Sequence, residues 1–248
     1  MNTAPPSLVE RKKFDNNQAR QLTTDIWWVG YVDDNNGQSN NPYLLVDNGE
    51  GVLINPGSGA DEQYRRVKNK VASIIDPSKI NHIVVGHPDP ARCAALPLFE
   101  KETARDVRIY APSAAIEDVA CYGCKTPVIG LDGGDSIILK SGRTIDFYAT
   151  PNLPLAGSGL LHDQQTSTIF AGNIFGCPGE EWNLFASAGA WESLTSCINE
   201  GWGSKKAVLH ALNKIERLSP ERICPQRGPI IEDMIDKYIE AARRLSTE

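Results

Sequence analysis

The stretch NPYLLVDNGEGVLINPG, residues 41–57, sets the pattern from which the fold is predicted. Its two apolar runs, residues 43–46 and 52–54, are separated by a polar segment that contains glycine. Short apolar runs joined in this way are typical of two β-strands connected by a turn. The sequence therefore predicts a β-hairpin at this position.

Strands and helices are predicted on both sides of the hairpin. Tyr64, Val67 and Val71 recur at helical spacing and predict a helix over residues 61–71. Residues 1–22 are polar and are expected to form a loose leader. Strands are also predicted at residues 26–29, 82–85, 108–110, 137–139, 144–148 and 167–171, and helices at 113–122 (capped by Ser113), 205–218 and 231–245. This order predicts an α/β (α+β) fold with two mixed sheets flanked by helices, in one domain over residues 23–248.

Composition excludes several classes of function. The chain has 248 residues, 41% hydrophobic and 23% charged, as is usual for a globular domain. A net charge of −6 argues against a nucleic-acid partner, and no apolar run is long enough to cross a membrane. The N-terminus lacks a signal-peptide pattern, and the six cysteines are scattered. A reduced, cytoplasmic protein is expected.

Several segments, in order, match one known family. They are IWWVGYVDD, INHIVVGHPDPARCAALP, YATPNLPLAGS, IFAGNIFG and ICPQRGPI, together with the hairpin. These segments resemble the metallo-β-lactamase-fold domain of flavodiiron proteins and the related oxygen-binding diiron proteins. The resemblance covers residues 26–231 and implies an αββα sandwich. No residues remain for a flavodoxin-like domain, so no FMN is expected.

The first metal-binding motif of the family, His-x-Glu-x-Asp-His, is largely replaced. The matching residues are His87-Pro88-Asp89-Pro90-Ala91-Arg92. His87 is retained and Asp89 stands for the Glu, but Ala91 and Arg92 replace the Asp and the second His. Half of this ligand set is therefore lost.

The remaining ligand positions of the family are replaced as well. The resemblance places Pro154 where a His is usual, Asn173 at the bridging Asp and Arg227 at the last His. Asn55 stands where an Asp usually follows the third strand. A guanidinium stays protonated and has no lone pair to donate, and a neutral amide cannot balance two cations. We therefore expect no metal at the second position.

The first position keeps only His87 and Asp89, which is fewer than the three or four ligands of a usual site. No cofactor is expected. The alternative is a single iron or zinc ion completed by Cys93, His162 or Asp163. His162 and Asp163 are otherwise expected in an exposed polar loop.

Two interpretations of the arginines stay open. Arg92 and Arg227 could pair with Asp89 and fill the ancestral pocket, or they could bind a small anion such as a carboxylate or phosphate. The sequence thus favours a degenerate, metal-free, non-catalytic sensing, ligand-binding or scaffold domain. Its partners would be a small anion or a signalling protein. The alternative is a mononuclear metalloenzyme for hydrolysis or O₂ or NO chemistry.

The cysteines and a cluster of aromatic residues each have two interpretations. Cys121 and Cys124 form a CxxC motif that could be a redox pair, although packing is the simpler interpretation. Packing is also the expectation for the isolated cysteines, which are Cys93, Cys177, Cys197 and Cys224.

Family resemblance suggests a homodimer through an aromatic cluster, with core packing as the alternative. The aromatic cluster consists of Trp182, Phe185, Trp191 and Trp202.

Overall fold

Two β-sheets lie face to face in the structure, a computed structural model that describes residues 15–33, 37–176, 183–187, 189–191 and 203–247. The strands are β1 (Arg20–Gln21), β2 (Ile26–Trp28), β3 (Tyr31–Val32), β4 (Ser39–Asn40), β5 (Tyr43–Asp47), β6 (Glu50–Ile54), β7 (Ile80–Val84), β8 (Arg108–Pro112), β9 (Val128–Leu131), β10 (Ser136–Ile138), β11 (Thr144–Ala149), β12 (Gly159–Asp163), β13 (Thr168–Phe170) and β14 (Arg222–Cys224). The helices are α1 (Asp61–Ala72), α2 (Pro90–Cys93), α3 (Leu96–Glu100), α4 (Ile116–Ala120), α5 (Lys205–Leu218) and α6 (Ile235–Thr247), and 3-10 turns cover Pro77–Lys79 and Ser113–Ala115.

Both large sheets are mixed. The first has seven strands in the order β1-β2-β5-β6-β7-β8-β9, and the second has five in the order β10-β11-β12-β13-β14. Strands β6 to β9 pair in parallel, as do β13 and β14. The small pair β3-β4 stands apart from both sheets. Parallel strands end at the same edge, so the loops after β6, β7, β13 and β14 can meet.

The layers follow from the alternation of side chains along each strand. In β5, Tyr43 and Leu45 belong to the apolar cluster between the sheets, while Leu44 packs in a second cluster with Val67 of α1. A third cluster joins the five-stranded sheet to α5 and α6, for example through Leu212. Successive strand residues point to opposite faces, and each sheet therefore has helices outside and the other sheet inside. This is the αββα sandwich that the family resemblance implies.

Most predicted elements are confirmed. The hairpin of residues 41–57 forms β5 and β6 with Tyr43 opposite Ile54, and α5 has the predicted bounds. The predicted leader lies outside the described residues up to residue 14, and within it Arg20–Gln21 pair with β2. No helix in the described part of the chain is long and apolar enough to cross a membrane.

Two predicted helices are corrected. Residues 113–122 form a 3-10 turn followed by α4, and the Ser113 side chain caps neither of them. The last helix begins at Ile235 and not at Ile231. Met234 has a φ of 55°, and Ile231 instead forms a β-bridge with Ile223. The expected cap at Ser113 and the apolar spacing from Ile231 placed the two helix starts too far toward the N-terminus.

The expectation of an exposed loop at His162 and Asp163 is wrong. Both residues belong to β12 and are buried. Asp163 is fully buried and binds Arg143 side-on, with Nε and Nη2 of the arginine each 2.8 Å from a carboxylate oxygen. Nη1 of Arg143 also donates to Asp25 at 3.0 Å. Burial alone would raise the pKa of Asp163, but hydrogen bonds from Arg143 and Thr166 outweigh it and hold that pKa below its usual range.

Replacing Arg143 tests how much this buried pair supports the fold. Arg143→Ala leaves a buried carboxylate without its counter-charge, and we expect a loss of about 3–5 kcal/mol in the free energy of unfolding at neutral pH. A carboxyl with a lowered pKa contributes stability above its unfolded-state pKa and loses it as the pH falls. The difference between variant and wild type should therefore shrink in acid. Urea unfolding across pH measures both effects.

Arg65→Ala is the matched control. Arg65 pairs with Asp61 on the exposed face of α1, and such surface pairs contribute about 0–1 kcal/mol. Equal losses in the two variants would contradict a structural role for the buried pair.

Candidate functional site

The predicted site residues lie on loops that follow parallel strands. His87, Asp89 and Arg92 follow β7, Asn173 follows β13, and Arg227 follows β14. Gly159 of β12 donates its N–H to the carbonyl of Gly86 at 3.1 Å, which brings the two sheets together beside His87. The structure therefore brings loops from both sheets to one place.

Hydrogen bonds hold the loop between β7 and α2. The Asp89 carboxylate accepts from Ala91 N at 2.8 Å and caps the first turn of α2. Asn55 Oδ1 accepts from Gly86 N at 2.8 Å. The N–H of Gly57 donates to the Arg92 carbonyl at 2.7 Å. These contacts fix the loop through neutral and capping hydrogen bonds.

Both ring nitrogens of His87 are engaged. Asn173 Nδ2 donates to Nε2 at 3.0 Å, which leaves the ring proton on Nδ1 to donate to Ser158 Oγ at 3.0 Å. Burial, opposed by the charge of Asp89 and assisted by that of Arg227, lowers the pKa of His87 to about 4. His87 is thus a neutral, hydrogen-bonded residue.

The guanidinium of Arg92 is buried and has no hydrogen-bond partner among the described residues. Its relative exposure is 2%, and its Nε and Nη2 make no hydrogen bond to the described residues. Arg227 is half-buried, and its buried Nε also has no hydrogen-bond partner there. Neither arginine forms an ion pair with Asp89 in the described part of the chain. The salt-bridged interpretation is therefore not what the structure has, because Asp89 caps α2.

Two site residues were missed by sequence reasoning. Gln226 is 1% exposed, and neither atom of its amide has a partner among the described residues. Asn40 is also buried and its Oδ1 is likewise unpaired there, while its Nδ2 donates to the Ala91 carbonyl. Gln226 stands in the quoted ICPQRGPI segment next to Arg227, which was the only available signal. Asn40 carried none.

The residues present do not fit a metal centre. No group of three or more His, Cys, Asp or Glu side chains with metal-binding geometry occurs in the described ranges. The proposed substitutes are used elsewhere. Cys93 Sγ donates to the Asp89 carbonyl at 3.1 Å, and burial raises the pKa of that thiol to about 12. His162 lies three residues beyond Gly159, about 10 Å along β12. Asp163 is bound to Arg143.

The CxxC segment packs on the same loop. Cys121 and Cys124 are free thiols, the first exposed and the second half-buried. Burial and the nearby Glu100 raise the pKa of Cys124 to about 11. Tyr122, between them, donates its hydroxyl to the Pro88 carbonyl at 2.9 Å. A redox role for the pair stays a prediction.

The aromatic cluster is only partly described. Trp182, Trp202, Cys177 and Cys197 lie outside the described residues. The ring of Trp191 meets that of Tyr238 edge-on, with centroids 6.1 Å apart, and Phe185 forms a bridge with Ile230. These contacts are within the chain, and a homodimer stays a prediction.

Comparison with known proteins identifies the fold as that of metallo-β-lactamase-like diiron proteins. The structure of rubredoxin oxygen:oxidoreductase from Desulfovibrio gigas aligns with a TM-score of 0.82 at 21% identity, over 93% of this chain and 62% of that one. The apo state of the chemotaxis sensor ODP from T. denticola aligns with a TM-score of 0.76 at 23% identity, over 91% and 92% of the two chains.

Sequence comparison gives the family. Residues 38–228 match the family described as ODP family beta lactamase, and the chain belongs to that family. Diflavin flavoprotein A 1 of Synechocystis sp. is 23% identical over 220 residues, which are 85% of this chain and 37% of that protein. The chain spans less than two thirds of the length of the curated relatives that it matches.

The hydrogen bond from His87 to Ser158 provides a test of the site geometry. Ser158 is 5% exposed, so Ser158→Ala leaves the ring Nδ1 buried and unpaired. We expect the free energy of unfolding to fall by about 1–3 kcal/mol, as measured by chemical denaturation.

Ser136→Ala is the control for that substitution. Ser136 donates to Asp146 at 2.7 Å but is exposed, so water replaces the lost bond. We expect a change within about 0.5 kcal/mol. If Ser158→Ala lowers the free energy of unfolding no more than Ser136→Ala does, the hydrogen bond between His87 and Ser158 does not hold the ring as described.

Proposed function

We propose that this protein is a metal-free, non-catalytic member of its family, in which the former metal pocket binds a ligand and serves sensing or signalling. The observation that carries the proposal is the pair Arg92 and Arg227, which stand where the family pattern has metal-binding histidines. Neither guanidinium forms an ion pair or a hydrogen bond with Asp89 in the described part of the chain. Two permanent cations repel a divalent ion at short range, and neither offers a lone pair.

The mononuclear alternative is disfavoured by the state of its two remaining ligands. Both ring nitrogens of His87 are already hydrogen-bonded, to Asn173 and Ser158. The Asp89 carboxylate caps α2 through Ala91 N. A metal at this point would have to break those contacts and would then have two protein ligands, which is too few for a tight site. Hydrolysis and O₂ or NO chemistry are therefore the weaker candidates.

A sensing role is supported by a similar protein of nearly the same length. The alignment with the chemotaxis sensor ODP covers 91% of this chain and 92% of that one. Its function is not transferred by a fold alone. A domain that binds a ligand without turning it over needs a partner to report the bound state. We therefore propose a signalling protein or a second copy of the chain as that partner, in a reducing cytoplasm that keeps the described cysteines free.

Metal content tests the proposal, with a restored variant as the positive control. We expect wild-type protein from cells supplied with iron and zinc, purified without chelators, to hold well under one metal per chain by elemental analysis. A variant with the family's ligands should regain metal. Its substitutions are Ala91→Asp, Arg92→His, Pro154→His, Asn173→Asp and Arg227→His.

A second variant with the same substitutions but with Arg92 retained is the matched control. It should bind less metal than the full set, because one guanidinium remains in the pocket. Close to one metal per wild-type chain would overturn the metal-free proposal. A folded full variant without metal, judged by circular dichroism, would show that the residue correspondence is wrong.

A further inference from the structure

Unpaired buried polar atoms are concentrated near the site. Among the described residues, nine buried side-chain nitrogen or oxygen atoms lack a hydrogen-bond partner, and six of them belong to Asn40, Arg92, Gln226 and Arg227. Buried polar groups are almost always paired, so several unpaired groups at one place point to a missing ligand.

Strand β4 and the residue after it link the segments that carry these four residues. Asn40 donates to the carbonyl of Ala91, which precedes Arg92. The next residue, Asn41, donates its N–H to the Gln226 carbonyl at 3.0 Å. Gly228 N in turn donates to Ser39 Oγ at 2.6 Å. One short strand thus touches both the helix of Arg92 and the loop of Arg227.

The unpaired atoms of Arg92 identify a kind of ligand. Nε and Nη2 form one edge of a guanidinium, and this is the edge that is unpaired in Arg92. Elsewhere in the chain Arg143 uses the same two atoms to bind the carboxylate of Asp163, at 2.8 Å each. Two parallel N–H donors match the two oxygens of a carboxylate. Among the described residues, this edge of the guanidinium is therefore filled in Arg143 and free in Arg92.

Charge and burial limit the ligand further. Arg92 and Arg227 bring two positive charges, and Asp89, three residues before Arg92, brings one negative charge. One negative charge balances the remainder. Because Arg92 is only 2% exposed, the group that reaches its free edge must be small.

We propose that the pocket binds a small monocarboxylate, held side-on by Nε and Nη2 of Arg92, with Arg227 and Gln226 as further donors. This inference rests on the proposed function, because it requires the pocket to hold no metal. Uncompensated burial of a guanidinium costs stability. The ligand-free protein therefore carries a destabilising charge that the carboxylate neutralises.

Titration calorimetry and thermal unfolding of the full chain test this, with sodium formate and sodium acetate as probes. We expect saturable binding and a saturable rise in Tm, while sodium chloride at equal ionic strength gives neither. An equal response to chloride, or a response to phosphate and sulfate alone, would overturn the carboxylate assignment.

Two variants of Arg92 separate charge from geometry. Arg92→Met should abolish the carboxylate effect and raise Tm in carboxylate-free buffer, because it removes a buried unpaired charge. Arg92→Lys keeps the charge but loses the paired donors, and should bind at least about tenfold more weakly. Arg244→Met, on the exposed face of α6, is the control and should leave affinity unchanged.

The outcomes also separate this inference from the proposed function. Near-stoichiometric metal in the same preparation would overturn the proposed function and this inference together. Metal-free protein that ignores formate and acetate would overturn this inference alone. Unchanged affinity in Arg92→Lys, or a lower Tm for ligand-free Arg92→Met, would show that Arg92 is a structural residue and not a carboxylate-binding one.

Discussion

A permanently charged guanidinium that is almost fully buried is the constraint on which the site depends. Arg92 cannot lose its proton, and none of the described residues pairs with its free edge. Such a group is unfavourable unless a counter-charge reaches it. The same residue stands where the family pattern has a metal ligand. In the proposed function, Arg92 therefore replaces a metal ligand, repels a metal and requires an anion.

The loops of the site keep their arrangement through contacts that need no ion. Asp89 caps α2, Asn55 holds Gly86, and Asn173 binds His87. In a metal centre the charged ligands would be drawn together by the cations. Here a neutral amide, Asn173, stands at the bridging position, and Asn55 replaces a further Asp of the family pattern, so hydrogen bonds hold the loops without repulsion between carboxylates. These hydrogen bonds can therefore keep the loops in place without a metal.

Local sequence patterns were enough to predict the elements and the family. Contacts between residues far apart in sequence determine which polar residues are buried and which of them lie at the site. Hairpin β5-β6 and helix α5 followed from apolar spacing, because burial alternates with period two in strands and 3.6 in helices. His162 and Asp163 were misplaced because a His-Asp pair is polar by composition. The burial of Asp163 depends on Arg143, 20 residues earlier in the chain. The roles of Gln226 and Asn40 likewise depend on loops far apart in sequence.

Anomalous diffraction at the iron and zinc edges, from crystals grown with both ions present, shows whether the proposed metal-free site holds a metal. We expect no anomalous peak within bonding distance of His87, and an intact hydrogen bond between its Nε2 and Asn173. A peak at that nitrogen, with the Asn173 side chain displaced, would contradict the metal-free proposal.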